Sequence, residues 1–134
     1  MRQRFVGAAW ITIALVLGLA MAATIFDWLW QGHLVKRAIS TVQTNFPLGT
    51  PFAQALTQVQ GTYPRYTEST ADTCSKEAAI TTPSYSPQGG PCISGITKTG
   101  STWWGFESAV TFRLMFGPDQ NLRQLQVSPV YTFL

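Results

Sequence analysis

The sequence predicts an α+β protein: an N-terminal transmembrane helix, then a small domain with one amphipathic helix packed on a three- to four-stranded antiparallel sheet. Three observations predict it. Phe5–Phe26 is a run of 22 residues without a charge. Phe52, Ala55, Leu56 and Val59 recur at helical spacing behind Thr50-Pro51. Phe106–Phe116 and the Leu125–Val127 segment alternate apolar and polar residues around a Gly-Pro-Asp-Gln-Asn turn. The chain divides accordingly into a tail (1–4), a span (5–30), a helical extension or linker (31–45) and an α+β domain (46–134).

The span comes first. At about 1.5 Å per residue, 22 helical residues cover roughly 33 Å, enough for the ~30 Å hydrocarbon core of a bilayer. Arg2 and Arg4 precede it, and Trp28 and Trp30 follow where an interfacial aromatic belt belongs, with His33 beside them. A cleaved secretory signal is the competing reading. The basic start and the Ala20-Met21-Ala22 site fit it, with cleavage after Ala22. Apolar character running on through Thr24-Ile25-Phe26 without a helix breaker favours an anchor.

Lys36 and Arg37 nearly balance Arg2 and Arg4, so the flanking charges alone leave orientation almost tied. The short N-terminal tail and the two cysteines tip it. The expectation is an inner-membrane, single-pass protein with a cytoplasmic N-terminus and a periplasmic C-terminal domain.

Composition excludes several classes. The net charge of +3 includes Arg2 and Arg4, and the remaining seven Lys and Arg nearly balance six Asp and Glu. There is no basic patch interleaved with aromatics, so no nucleic acid is expected as a partner. Charged residues are 11 % of the chain, against ~25 % for an ordinary soluble domain. Such a surface suits partial cover by a membrane or by another protein.

Beyond the span, Leu34, Val35, Ala38, Ile39 and Val42 form an apolar stripe that continues the helix. It packs either on the chain's own domain or on a neighbouring transmembrane subunit. Gly32 is a weak point where this helix would kink. The run ends near Phe46-Pro47. Thr50 is the expected N-cap and Pro51 the first residue of a helix over Pro51–Gln60, with Gly61 as its left-handed cap.

Tyr63–Glu68 is a candidate first strand. Pro83–Pro91 reads as loop, and Cys92–Thr97 as a short edge strand. In Phe106–Phe116 the residues Phe106, Val110, Phe112, Leu114 and Phe116 share one face, with Ser108 the single small polar member. Glu107, Thr111 and Arg113 face the other way. Pro129 marks an edge strand or a strand end. The apolar sheet face needs a cover, and the helix starting at Phe52 is the expected one.

The turn Leu48-Gly49-Thr50 before a helix, and the closing Leu122-Arg-Gln-Leu-Gln-Val127, carry a resemblance over residues 46–128. In these features the chain resembles the BamE (SmpA/OmlA)-like small bacterial envelope domains, where such a turn opens a helix packed on a three-stranded meander. The resemblance implies a scaffold for protein contacts. No lipobox cysteine ends the apolar segment, so the chain is not a lipoprotein, and the group's second turn is only echoed by Gly61-Thr-Tyr-Pro64.

Chemistry is sparse. Cys74 and Cys92 are spaced for a disulfide that would stabilise by about 3 kcal/mol in the chain-entropy model. Free thiols or half a metal site are the alternatives, but zinc needs about four ligands and His33 is the only histidine. His33 is either an interfacial polar residue or a ligand for a pigment, haem or metal; no catalytic, cofactor-binding or metal-binding residue is assigned. Glu68, Asp72 and Glu77 fall in polar loop, and no nucleophile–base pair can be assembled. Trp103-Trp104 between Gly100 and Gly105 divides between one core Trp beside one loop cover, and a partner contact. The apolar tail with Tyr131, Phe133 and Leu134 is expected to dock rather than hang free.

The function these features imply is a non-catalytic single-span accessory subunit without cofactors. It would bind the bilayer and integral membrane protein subunits of a larger complex, a respiratory or photosynthetic one among the candidates. The alternative is a stand-alone envelope ligand-binding or inhibitor domain of BamE-like type, secreted or anchored.

Overall fold

The computed structural model describes residues 2–74 and 88–133, with 2–8 and 133 by backbone alone. Two helices precede and cover one antiparallel sheet. Helix α1 spans Arg2–Asn45 and α2 spans Phe52–Thr62. The strands are β1 (Tyr66–Ser69), β2 (Cys92–Ser101), β3 (Phe106–Phe116) and β4 (Leu122–Phe133), in spatial order β1-β2-β3-β4. The architecture is α+β with one helix long and apolar enough to cross a membrane, followed by a four-stranded meander.

Helix α1 runs through Gly32 without a break, so the expected kink is absent. Its two ends have different surroundings. From Ala9 to Ala23 every residue is exposed. From Gln31 onward one face enters the domain: Gln31, Val35, Val42 and Phe46 are buried. The stripe therefore packs on the chain's own sheet. Phe46, just past the helix end, stacks on Phe112 of β3 with ring centroids 6.1 Å apart and meets Tyr63 at 6.2 Å.

The connector 46–51 reverses the chain and pairs with the start of β4. The Gly49 amide donates to the Leu122 carbonyl (2.8 Å), and the Leu122 amide donates to that of Thr50 (2.9 Å). This changes the expected cap of α2. The Thr50 hydroxyl donates back to the Pro47 carbonyl at 2.6 Å, and Pro51, in extended conformation, is the N-cap without a side-chain bond. At the other end Gly61 stays inside the helix. The Tyr63 amide still donates to the Val59 carbonyl (2.8 Å), which delivers the Tyr63 ring into the core, 4.6 Å from that of Phe112. Burying an aromatic ring outweighs the local preference of glycine for a left-handed cap.

In the sheet, β3 lies as expected and pairs along its length with β4. The segment after Cys92 differs from expectation. It is a ten-residue strand between β1 and β3, not a short edge. Its Thr and Ser residues suggest solvent, but both neighbours take up its backbone groups, and Ile93 packs on the core face. Strand β1 begins at Tyr66, three residues later than the sequence suggests, because Tyr63 belongs to the helix end. Pro129 sits within β4 opposite Val110; β4 is an edge strand, so its missing N–H breaks no ladder bond on the free side. Tyr131 thereby pairs with Ser108, and the tail is the second half of a strand. Leu134 and the side chain of Phe133, expected to dock with the tail, lie outside the described residues, as do Glu77 and the loop up to Pro87.

Val42, Phe46, Ala55, Val59, Tyr63, Ile93, Phe112, Leu114, Phe116 and Leu122 form the core, with Phe52 and Leu56 packed at its margin. The cover is thus shared by α2 and the last turns of α1. Cys74 and Cys92 are joined by a disulfide with Cα atoms 6.1 Å apart, and they bury Met115 on the opposite sheet face. At the β3–β4 turn, hydrogen bonds from Arg123 and then Asn121 hold the exposed Asp119 carboxyl below its ordinary range.

Two stability outcomes are expected. Replacing both Cys74 and Cys92 by Ala lowers the unfolding free energy by about 3 kcal/mol, the entropy of the released loop, measured by denaturant titration of the full chain in detergent. Phe46→Ala costs about 3–5 kcal/mol in the same assay, as for a core aromatic, although the residue directly follows the long apolar helix in sequence.

Candidate functional site at the helix–sheet junction

The site is built where α1 passes from exposed to buried. Ser108 is the one polar residue among the apolar side chains on the inner face of β3, and it is fully buried. Its hydroxyl donates to Gln31 Oε1 at 2.7 Å and accepts from Thr99 Oγ1 at 2.8 Å. Gln31 is itself buried. The polar atoms meet because β2 carries a bulge. Register shifts between Lys98 and Gly100, so the inserted Thr99 turns its hydroxyl inward together with Gly100. Gly100 is needed for another reason: a Cβ there would strike the Gln31 amide. These residues form a hydrogen-bonded clamp between the long helix and the sheet.

Asp27 lies one helical turn before Gln31. Its Oδ2 is buried and is the one such side-chain polar atom among the described residues without a hydrogen-bond partner. The junction therefore carries an uncompensated polar group beside a satisfied one.

Aromatic side chains surround the clamp. The loop 102–105 is a tight reversal: the Thr102 hydroxyl accepts from the Phe106 amide (2.8 Å), and Gly105 adopts φ 90°. A side chain at that φ would be strained. Trp103 projects from the tip, 78 % exposed, and Trp104 is 38 % exposed. Neither fills the core, so the reading with one core Trp is corrected. A reversal this tight keeps both indoles at the rim. Trp104 instead stacks on Phe106 (centroids 5.5 Å, 20° between planes), and Phe106 stacks on Tyr131 (5.6 Å, 18°). The row crosses the end of the sheet from the β2–β3 loop to β4.

Between this row and α1 lies a groove of about 610 Å³. Trp28, Leu29 and Gly32 of the helix and Phe106 and Tyr131 of the sheet line its apolar part. His33 and Lys36 line its other end, and they also border a shallow polar groove that continues to Arg37 along α1. No acidic residue lines either groove. Trp30 points elsewhere, stacked on Phe26 (6.3 Å) and tilted against His33 (6.1 Å).

The structure thus brings Trp28, His33 and Tyr131 to one groove and Trp104 to its border, and leaves Trp103 at the loop tip. Cys74 and Cys92 lie apart from it, beside Met115. Among the described residues no three His, Cys, Asp or Glu side chains gather as a metal site. Sequence reasoning missed Gln31 and Gly32 as members of the junction. Ser108 was conspicuous as a polar residue on a core face; a buried partner was its implied requirement, and only the fold supplies Gln31.

The clamp is testable by a double-mutant cycle. Ser108→Ala alone costs about 1–3 kcal/mol, because the Gln31 carbonyl stays buried and unsatisfied; adding Gln31→Leu recovers part of that loss. Denaturant titration of the four proteins reads the coupling.

No known protein family, curated protein or solved structure matches this chain.

Proposed function

We propose that the protein is a non-catalytic, single-span membrane subunit that binds and stabilises a larger assembly of integral membrane proteins. One observation carries this reading. From Ala9 to Ala23 the helix exposes apolar side chains on all sides, and the same helix then becomes part of the domain core. An apolar surface of that extent is stable only in lipid or against other apolar helices.

The rest of the molecule supports a contact role. The clamp ties the domain to the helix at a set height and angle, which suits a subunit that must present one surface to a neighbour. Trp103 and Trp104 stand exposed at the end of the sheet beside the span, and large aromatics of this kind dominate binding energies at protein interfaces. A helix opening from a Leu-Gly-Thr turn onto a meander is what the BamE-like resemblance implies, and that resemblance favours a scaffold over an enzyme. The Cys74–Cys92 disulfide supports an oxidising compartment for the domain. Together with Arg2 and Arg4 ahead of the span, it supports the reading of a cytoplasmic N-terminus and a periplasmic domain in an inner membrane.

Affinity purification of the tagged full chain from mild-detergent extracts of its native membrane tests the reading. The expected result is retention of integral membrane subunits at stoichiometric amounts. Trp103→Ala should reduce that retention at least about tenfold, the effect of losing an interfacial aromatic, with an unchanged melting temperature. Recovery of the chain alone overturns the subunit role. Recovery in the aqueous fraction after alkaline carbonate washing overturns the anchor.

A further inference from the structure

We infer that the groove between α1 and the aromatic row is a binding site for one anionic phospholipid, with its acyl chains against Trp28, Leu29 and the exposed helix and its phosphate at Lys36. This inference rests on the membrane-anchored reading above and adds a defined ligand to it.

Three features of the groove converge on such an occupant. The first is its chemical polarity. One end is apolar, formed by Trp28, Leu29, Phe106 and Tyr131, and the other holds Lys36 and His33. A phospholipid has that same sequence of chemistry, from hydrocarbon to charged headgroup. A wholly apolar partner helix along the groove would leave the Lys36 ammonium without a counter-charge, which an anionic headgroup supplies.

The second feature is charge complementarity. No carboxylate lines the groove, and the polar groove that continues from it adds Arg37. Lys36 has no ion-pair partner among the salt bridges of the described residues, where Lys98 is paired with Glu107 and Arg123 with Asp119. A zwitterionic headgroup would bring its own ammonium toward this cationic end; an anionic one brings only negative charge.

The third feature is height. The aromatic end of the span is at Trp28–Trp30, and Lys36 follows Trp30 by about 9 Å along the helix axis. Side chains on a helix lean toward its N-terminus, here toward the membrane. The Lys36 ammonium therefore reaches back to the headgroup layer, which extends roughly 5–8 Å beyond the hydrocarbon on each side. The groove volume, about 610 Å³, is in the range of sites that enclose a small molecule, enough for a headgroup with its glycerol and the first methylenes. Gly32 keeps the groove open: nothing lies within 4 Å of where its Cβ would be.

Native mass spectrometry of the full chain, exchanged from detergent into mixtures of phosphatidylglycerol and phosphatidylcholine, tests the assignment. One phosphatidylglycerol should be retained in preference to phosphatidylcholine. Lys36→Gln should lower that retention about fivefold, the effect of removing one cation near an anionic surface. Gly32→Leu should abolish it by filling the groove, while Arg123→Gln, at the far end of the sheet, should leave it unchanged.

Equal retention of the two lipids, or retention insensitive to both Lys36→Gln and Gly32→Leu, overturns the site. A photo-crosslinker at Tyr131 that captures a protein in place of lipid in native membranes overturns it too, in favour of a polypeptide occupant. Flotation with vesicles distinguishes loss of the groove from loss of the anchor. A chain that floats with both lipids but retains neither selectively loses only the groove assignment. One that floats with neither loses the anchor, and the lipid site with it.

Discussion

The fold depends on one helix that is exposed and apolar along its first half and buried in the domain along its second. From Ala9 to Ala23 every residue of α1 is exposed, while Val35, Val42 and Phe46 are buried with the centre of β3. The last turns of the helix complete the domain core together with α2, so the interior of the domain includes the part of α1 that follows Gln31. That continuity joins the long apolar helix to the domain through packed side chains rather than through a loose linker.

At the crossing point the packing becomes polar. Gln31 and the buried Ser108 hydroxyl bond each other, Thr99 donates to Ser108, and the bulge that presents Thr99 sits beside the Gly100 that admits Gln31. A purely apolar contact here would permit the helix to slide or rotate against the sheet. Directional bonds between buried polar atoms penalise every register but one. The neighbouring Asp27, with an unpartnered buried oxygen, adds free energy that the surrounding packing must offset.

The aromatic row extends this junction outward. Trp104, Phe106 and Tyr131 come from a loop and two strands, and their stacking makes the end of the sheet one continuous apolar surface facing the helix. The proposed partner contact at Trp103 and the proposed lipid groove lie on either side of that row. A bound lipid would therefore be part of the surface a neighbouring subunit meets, which couples the two roles through shared geometry.

Some of this was written locally in the sequence. The uncharged run of Phe5–Phe26, the helix after Pro51, the β3–turn–β4 hairpin and the cysteine pair each follow from residues close together or from simple counting, because hydrocarbon length, helical period and strand alternation are short-range properties. Individual members of the junction were also visible: Trp103, Trp104, Tyr131, Trp28 and His33 stood out as large or solitary side chains, and Ser108 as a polar residue on a core face. What they do together was not visible. That Ser108 bonds Gln31, 77 positions away, that the strand after Cys92 becomes interior, and that Gly61 continues a helix so that Tyr63 reaches Phe112 were decided by tertiary packing. Periodicity says which face a residue occupies. Only the closed fold says what that face meets, because burial is a property of all the neighbours at once.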